Sequence, residues 1–367
     1  MTGSGPVGVG LIGAGNISTQ YLENLTTFPD VKVLFVADID LDRAAAQAEK
    51  YGVPGSGTAE EMLAHPDIEI VVNLTIPAAH VDVAMQALAA GKNVWTEKPI
   101  ALDRESGLAL LAEADRLGLR VATAPDTFLG SGLQTGKRLI EDGSIGTPLT
   151  ALALFQAGGP EGWHPSPDFF YVHGGGPLFD MGPYYLTTLV QNLGPAKRVA
   201  ATSSKATETR TIGSGPRAGV QIPVEIPTHL SALIEFESGA TAQGVFSFQS
   251  ALQRTGFVEI AGTEGTLVFP DPNNFDGDFT LWKTGSSDAE TITTTKIGER
   301  GTGVVELARA IRADVPERAS GQQAYHVLDI MVSIVEAAET GQFVDIVSTV
   351  APAEALPEGW SPRDSTL

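Results

Sequence analysis

The chain contains no cysteine, which removes disulfides, thiolate zinc sites and cysteine nucleophiles from consideration together. Basic residues are scarce: 23 Lys and Arg stand against 44 Asp and Glu, a net charge of −21. Such a surface repels phosphate backbones and anionic lipid, so neither nucleic acid nor a membrane is an expected partner. No stretch reaches the roughly 18 uninterrupted apolar residues of a membrane span. The six histidines, at 65, 80, 164, 173, 229 and 326, include no pair at the short helical spacing of a metal motif, and no carboxylate cluster completes one, so no metal is expected. The opening MTGSGPVGVGLIGAG has neither a basic flank nor a small-residue cleavage pattern, and it reads as a first strand and not a signal peptide. A cytoplasmic protein is the expectation.

What is present is enough chain for two cores, since 367 residues is long for one. From Val7 to about residue 125, short β-branched runs (VGVGLIG, VKVLFVAD, IEIVVNLT, NVWTE, LRVATAP) alternate with helix-length segments. Alternation of this kind predicts a doubly wound parallel sheet with crossover helices. Helix signals lie between the runs: Asp42 precedes an alanine-rich stretch ending at Gly52, and Asp103 precedes one ending at Gly118. From about residue 149 the texture changes to longer alternating runs such as THLSALIEFESG and ATAQGVFSFQS, separated by Gly, Asn and Asp. These predict an α+β domain with a large, mainly antiparallel open sheet, covered on one face by a helix after Phe179 and another near the C-terminus. The division expected is 1–126 and 127–367, with 205–227 a surface excursion.

The segment GLIGAGNIS joins the first strand to the first helix. Gly13 and Gly15 fit a loop that turns tightly and brings backbone close to a pyrophosphate at a helix N-terminus, with Asn16 and Ile17 opening that helix. Ser18 stands where a third glycine is usual and is small enough for close helix packing. Asp38 ends the second strand, where a carboxylate accepts hydrogen bonds from ribose hydroxyls and disfavours a 2′-phosphate. No arginine follows at once, Arg43 being a helical turn away, so NAD is preferred to NADP. Asp38 as a plain helix cap is the competing reading, a duty better suited to Asp40 or Asp42.

In NVWTEKPI a buried strand ends in Glu97, Lys98 and Pro99. Pro99 blocks continuation of the ladder and direct entry into a helix, leaving Lys98 on a short, stiff edge. Asp126 emerges after the last parallel strand, at the end where ligands of open α/β sheets bind, and is a candidate substrate contact. Later, GWHPSPDFFYVHGGG crowds Trp163, His164, Asp168 and His173 beside aromatics. Such a mixture suits the apolar faces and hydroxyl rims of a carbohydrate, although an ordinary hydrophobic loop reads the same way. Asp180 and Tyr184, four apart, share a helix face if the helix starts near Asp180, and Pro183 then falls in its tolerant first turn. Alternatively, Asp180 caps the helix and Tyr184 fills a core.

The order of glycine loop, Asp38 and Glu97-Lys98-Pro99, with TIPAAHVDVAMQALAAGKNVWTEKPIAL and GGGPLFDMGPYYLTTLV, resembles the glucose-fructose oxidoreductase/inositol dehydrogenase family, Gfo/Idh/MocA, over nearly the whole chain. The resemblance implies a Rossmann domain holding the dinucleotide through Gly13, Gly15, Asn16, Ile17, Asp38, Thr75, Pro77, His80, Glu97 and Lys98. It implies substrate contacts from Asp126, Trp163, His164, Asp168, His173, Asp180 and Tyr184, and catalysis by Lys98, Asp180 and Tyr184. Lys98 accepts or relays a hydroxyl proton, Tyr184 shares that hydrogen bond, Asp180 fixes substrate or lysine, and Glu97 orients Lys98 or nearby backbone. Tyr184 stands where the family usually has histidine, and a phenol with a pKa near 10 is a poor base at neutral pH without a neighbouring cation. The activity implied is hydride transfer between NAD and a hydroxyl carbon of a sugar, sugar derivative, glycoside or cyclitol, in a homodimer or homotetramer. A redox-neutral NAD-dependent glycosidase is the alternative chemistry, and a non-catalytic NAD-binding regulator the third reading.

Overall fold

Six parallel strands make the first sheet: β1 (Val7–Ile12), β2 (Val31–Ala37), β3 (Gly55–Gly57), β4 (Ile70–Asn73), β5 (Asn93–Thr96) and β6 (Val121–Thr123). Their spatial order is β3-β2-β1-β4-β5-β6, so the direction of winding reverses between β1 and β4. In such sheets ligands bind beyond the strand ends at that reversal. Both β1 and β4 are buried along their whole length, as parallel strands covered on two faces must be. The computed structural model describes residues 4–367; Met1, Thr2 and Gly3, the first residues of the opening segment, lie outside them.

Crossover helices are α1 (Asn16–Leu25), α2 (Leu41–Tyr51), α3 (Ala59–Leu63), α4 (His80–Ala89) and α5 (Arg104–Leu117). Asp40 caps α2 by accepting from the Arg43 amide at 3.1 Å, and α2 ends at Gly52 in the left-handed region. Asp103 caps α5 by accepting from the Ser106 amide at 2.8 Å, and Gly118 closes it. The short β3 is a strand that local periodicity does not reveal.

The first unit is discontinuous: it runs to Gly130 and takes in residues 297–325 and 353–367. A break at Asp126 with all later residues in one domain is therefore not the division found. Long-range contacts explain this. Helix α8 (Thr302–Ala313), which follows α6 (Ser131–Glu141) and α7 (Gly176–Leu193) in the chain, packs Gly303 against Trp95, where a Cβ would lie 2.0 Å from the indole. Arg312 pairs with Glu69 at 2.6 Å, and Arg309 with the buried Asp30 at 2.7 Å. Asp30 also accepts from the Thr366 amide and hydroxyl, which ties down the C-terminal segment.

The second unit, residues 131–296 and 326–352, holds a nine-stranded sheet. Its strands are β7 (Pro148–Gln156), β8 (Ala196–Ser204), β11 (His229–Phe236), β12 (Thr241–Ser247), β13 (Arg254–Gly262), β14 (Gly265–Phe269), β15 (Phe279–Lys283), β16 (Ala289–Ile292) and β17 (Val344–Asp345), ordered β16-β15-β14-β13-β7-β12-β11-β8-β17. Only β7 and β12 pair in parallel. The excursion carries its own small ribbon, β9 (Thr209–Thr211) with β10 (Gln221–Pro223). Helix α7 lies on the sheet, where Tyr185 meets Phe155 and Phe246 edge-on. It begins at Gly176, a turn earlier than the sequence reading places it, so Pro183 lies inside the helix and deprives the Phe179 carbonyl of its helical donor. Helix α6 was not legible in the sequence, and α9 (Gly321–Thr340) starts in the first unit and continues in the second.

A buried histidine contributes to the pH response of the second unit. His326 is wholly buried, its Nε2 accepts from the Ala196 amide at 3.0 Å, and its Nδ1 lies 2.9 Å from the Ser348 hydroxyl. An amide can only donate, so Nε2 must be unprotonated. Burial holds the His326 pKa below its ordinary value. The unfolded chain then takes up this proton near pH 6.5 while the native state resists it, so stability is full above about pH 6.5 and falls as pH drops below it. Thermal unfolding at pH 8, 6.5 and 5 is expected to show a declining midpoint across the last interval, with a shallower slope in His326→Gln.

Candidate active site

The glycine loop carries out what its residues allow. Gly13 has φ +100°, and a Cβ there would lie 2.6 Å from the Leu74 carbonyl oxygen, so close approach of the two strand ends demands glycine. Gly15 has open space where a Cβ would project, and it precedes α1 with no side-chain cap on the helix amides. That is a site open to an anion. Ser18 is fully buried and donates to the Gly15 carbonyl at 2.6 Å, which is how serine replaces the third glycine. Asn16 is exposed and Ile17 half-buried at the start of α1.

Asp38 is buried at the end of β2. One of its oxygens accepts from the Ala14 amide at 2.7 Å; the other accepts from the Asp40 amide at 2.8 Å and from Arg43 at 3.0 Å. Burial opposes ionisation, but the two amides and Arg43 outweigh it and hold the pKa below the usual carboxylate range. Arg43, distant along the sequence reading, therefore reaches back to this carboxylate. With Gly15, Asn16, Thr19, Gln47 and Lys50 it lines a cavity of about 470 Å³. The Gln47 Oε1 is buried there without a hydrogen-bond partner, an acceptor waiting for a donor. Glycine loop, open helix terminus and orphan acceptor all fit a dinucleotide.

At the ends of β4 and β5 the polar groups lock onto one another. Asn73 accepts from the Thr75 hydroxyl at 2.7 Å and donates to the His80 carbonyl at 2.9 Å. Pro77 opens a single 3₁₀ turn that runs into α4. His80 is 1% exposed, with Nδ1 2.7 Å from the Pro99 carbonyl and Nε2 3.0 Å from that of Thr75. Its ring faces two backbone segments, so the His80 side chain positions the Thr75 loop and the Pro99 turn. Burial pushes its pKa down, and Lys98 adds to that against the opposing pull of the carbonyls and Glu97. Glu97 is likewise directed inward, its carboxylate accepting from the Tyr21 hydroxyl at 2.9 Å and the Lys98 amide at 3.1 Å, as an orienting residue does. Lys98 itself is half-buried at the strand edge.

Asp126 is not a substrate contact. It is fully buried and accepts from Arg300 at 3.0 Å and from the amides of Gly301 and Gly303 at 2.8 and 3.3 Å, at the start of α8. The position at a strand's C-terminal end misled the sequence reading, because the partners lie some 174 residues away.

In the second unit, His164 stands among rings: Trp163 and Phe169 at 5.5 Å and Phe170 at 5.4 Å, all edge-on. Its Nδ1 accepts from the Ser166 amide at 3.1 Å, which leaves the proton on Nε2. Burial lowers its pKa, and the charge of Asp180 acts on it in the opposite sense, so these two are electrostatically coupled. Trp163 is two-thirds exposed and available to a ligand face. Asp168 instead spends both oxygens on Arg217, at 2.6 and 2.8 Å, and His173 is exposed. Asp168 thus braces the loop through Arg217, with 47% of its side chain still exposed. Asp180 is half-buried and Tyr184 buried, one helical turn apart on α7. Asn73, Tyr21, Trp95 and Gln47 are site residues that the sequence reading missed; for the first three the one available signal was their occurrence within or one turn beyond the motif segments, and Gln47, nine residues past Asp38, had none. Among the described residues there is no group of His, Asp and Glu able to hold a metal ion and no helix long and apolar enough to cross a membrane.

A doubly wound sheet with this loop, an acidic residue ending β2 and a separate mainly antiparallel unit defines a dinucleotide-binding protein of two-unit construction. Residues 7–124 match the oxidoreductase family model with NAD-binding Rossmann fold, and residues 133–268 match the GFO/IDH/MocA C-terminal domain. The chain belongs to the GFO/IDH/MocA family. It is 27% identical to a 1,5-anhydro-D-fructose reductase of Ensifer adhaerens, over 92% of this chain and 98% of that one. It is 24% identical to an NADP(+) D-xylose 1-dehydrogenase of Haloferax volcanii, over 92% and 99%. A levoglucosan dehydrogenase solved with NADH and L-sorbose superposes with a TM-score of 0.82 at 21% identity, covering 94% of this chain and all of that one.

Proposed function

We propose that the protein is an NAD(P)-linked dehydrogenase or reductase acting on a hydroxyl-bearing carbon of a sugar, sugar derivative or cyclitol. The observation that carries this reading is Lys98, held on the edge of β5 by Glu97 in the same unit as an open glycine loop. The names of the sugar-acting relatives support the substrate class. In the oxidative direction the carbinol C–H bond breaks with its electron pair, and the O–H proton passes to the Lys98 amine, leaving a carbonyl. The bound nicotinamide supplies the hydride acceptor, or the donor in reverse. Asp180 and Tyr184 are assigned to the same hydroxyl by the family pattern, and the Nε2–H of His164 to a neighbouring one. Trp163 offers a ring face to the pyranose.

A panel of sugars, cyclitols and glycosides with each dinucleotide, read for NADH or NADPH and for released aglycone, tests this. Aglycone release without net reduced cofactor would replace the dehydrogenase with the redox-neutral glycosidase, and no reaction on any of them would sink both.

NAD is the preferred cofactor in this proposal, because the Asp38 carboxylate would meet a 2′-phosphate as a like charge. Asp38→Ala is expected to shift the ratio of kcat/KM for NAD over NADP by about tenfold or more towards NADP, since about 1.4 kcal/mol of lost charge repulsion suffices and Arg43 is freed. A wild type that already favours NADP would overturn this. Assembly is proposed through the open sheet face, on which Leu233 and Trp282 are 52% and 44% exposed. Sedimentation of the wild type as a dimer or tetramer, and of Leu233→Arg as a smaller species, is expected. A cytoplasmic setting, where dinucleotides are plentiful, completes the proposal.

A further inference from the structure

Tyr21 lies five residues into the helix that begins at the glycine loop, and it has no exposed surface. Its hydroxyl accepts from the Trp95 indole N–H at 3.0 Å and donates to Glu97 Oε1 at 2.9 Å. The other Glu97 oxygen accepts from the Lys98 amide at 3.1 Å. Every direction in this chain is fixed by chemistry: an indole N–H only donates and a carboxylate only accepts, so the phenol must keep its proton. Burial, reinforced by the Glu97 charge, raises the Tyr21 pKa well above its ordinary value, and no working pH removes that proton.

We infer that Tyr21 is a positioning residue for hydride and proton transfer, registering the main chain at Lys98 to the helix that receives the dinucleotide phosphates. The inference rests on the reading of Lys98 as the proton-transfer group. A carboxylate next to a lysine in sequence has many rotamers and no reason to fold back on the following amide. Here the phenol holds one oxygen and the Lys98 N–H the other, so the Glu97 side chain becomes a fixed strut between α1 and the end of β5. The cofactor's phosphate end and the lysine are thereby set by one continuous run of hydrogen bonds. A tyrosine that merely filled the core would need its ring and not its hydroxyl, and that difference can be measured.

Tyr21→Phe keeps the ring and removes the hydroxyl. On the best substrate of the panel, kcat is expected to fall about 10- to 100-fold, while KM for dinucleotide and for substrate stays within about threefold. Glu97→Met removes both carboxylate oxygens and so breaks both contacts from the other side. The double variant is expected to be no slower than the slower single one, as members of one strut should be. An activity-independent readout accompanies these: in 15N-lysine-labelled protein, exchange of the Lys98 amide is expected to quicken about tenfold or more in Tyr21→Phe. A fall in melting temperature with kcat and Lys98 exchange both unchanged would reduce Tyr21 to core packing and overturn the inference. If Tyr21→Phe does not fold, unchanged kcat and Lys98 exchange in Glu97→Met overturn it equally. If the wild type transfers hydride to no member of the panel, the proposed function fails, and Lys98 exchange alone still decides the role of Tyr21.

Discussion

Lys98→Met is expected to lower turnover by about 10² to 10⁴-fold, the range of acid-base catalysis, while melting temperature and dinucleotide Kd change little. Methionine keeps most of the length and the apolar stem but has no amine. The backbone there is held by contacts that do not involve the side chain: the Lys98 amide is bound by Glu97, and the Pro99 carbonyl by His80. Loss of the amine therefore removes the titrating group and leaves these backbone contacts in place. Lys98→Arg sharpens the test, because a guanidinium retains the charge but cannot give up its proton. If charge alone mattered, Lys98→Arg would recover most of the activity; it is expected to stay within about tenfold of Lys98→Met. Glu97→Gln should cost less than either, since it disturbs one contact of the strut and leaves the amine. Near wild-type turnover in Lys98→Met on a good substrate would end the proposed mechanism.

Asp126→Ala is expected to destabilise the first unit by about 3 to 5 kcal/mol, the cost of stranding one member of a buried ion pair. Arg300 keeps its charge with only 10% of its side chain exposed, and the amides of Gly301 and Gly303 lose their acceptor. The N-terminal end of α8 also loses the negative charge that favours it. Asp126→Asn retains an acceptor for those amides and should be milder. Urea unfolding at pH 7.5 measures the difference, and kinetics of whatever enzyme remains folded should show KM for substrate unchanged. A raised KM with stability intact would return Asp126 to the substrate side.

Much of this protein was legible in the sequence because its signals are local. Strand runs, the Asp103 cap and the Gly118 stop depend on neighbours within a few residues, and the elements found follow them closely. The glycine loop is of the same kind: φ at Gly13 and the open space at Gly15 are properties of a short segment between one strand and one helix. Even the edge at Lys98 could be anticipated, since Pro99 limits the backbone whatever surrounds it. Where a neighbour at longer range competed, the local reading slipped. It placed the start of α7 a turn late and missed α8, although Val304, Val305, Leu307 and Ala308 of that helix are buried on one side.

The fate of each polar side chain was decided only by the fold. Asp126, Asp168, His80 and Glu97 looked equally available in the sequence, and each side chain has a partner in the fold: Arg300, Arg217, two carbonyls, and Tyr21 with the Lys98 amide. Tyr21 and Glu97 are 76 residues apart, and Asp126 and Arg300 are 174 apart. No periodicity encodes such a pairing, because it is fixed by which strands neighbour one another and which late segment returns to the first unit. A buried carboxylate must find a donor wherever the chain brings one, and an exposed one need not. Sequence determined the elements and the chemistry of the motif residues, whereas tertiary structure decided which of those residues remain open to a ligand and which hold the others in place.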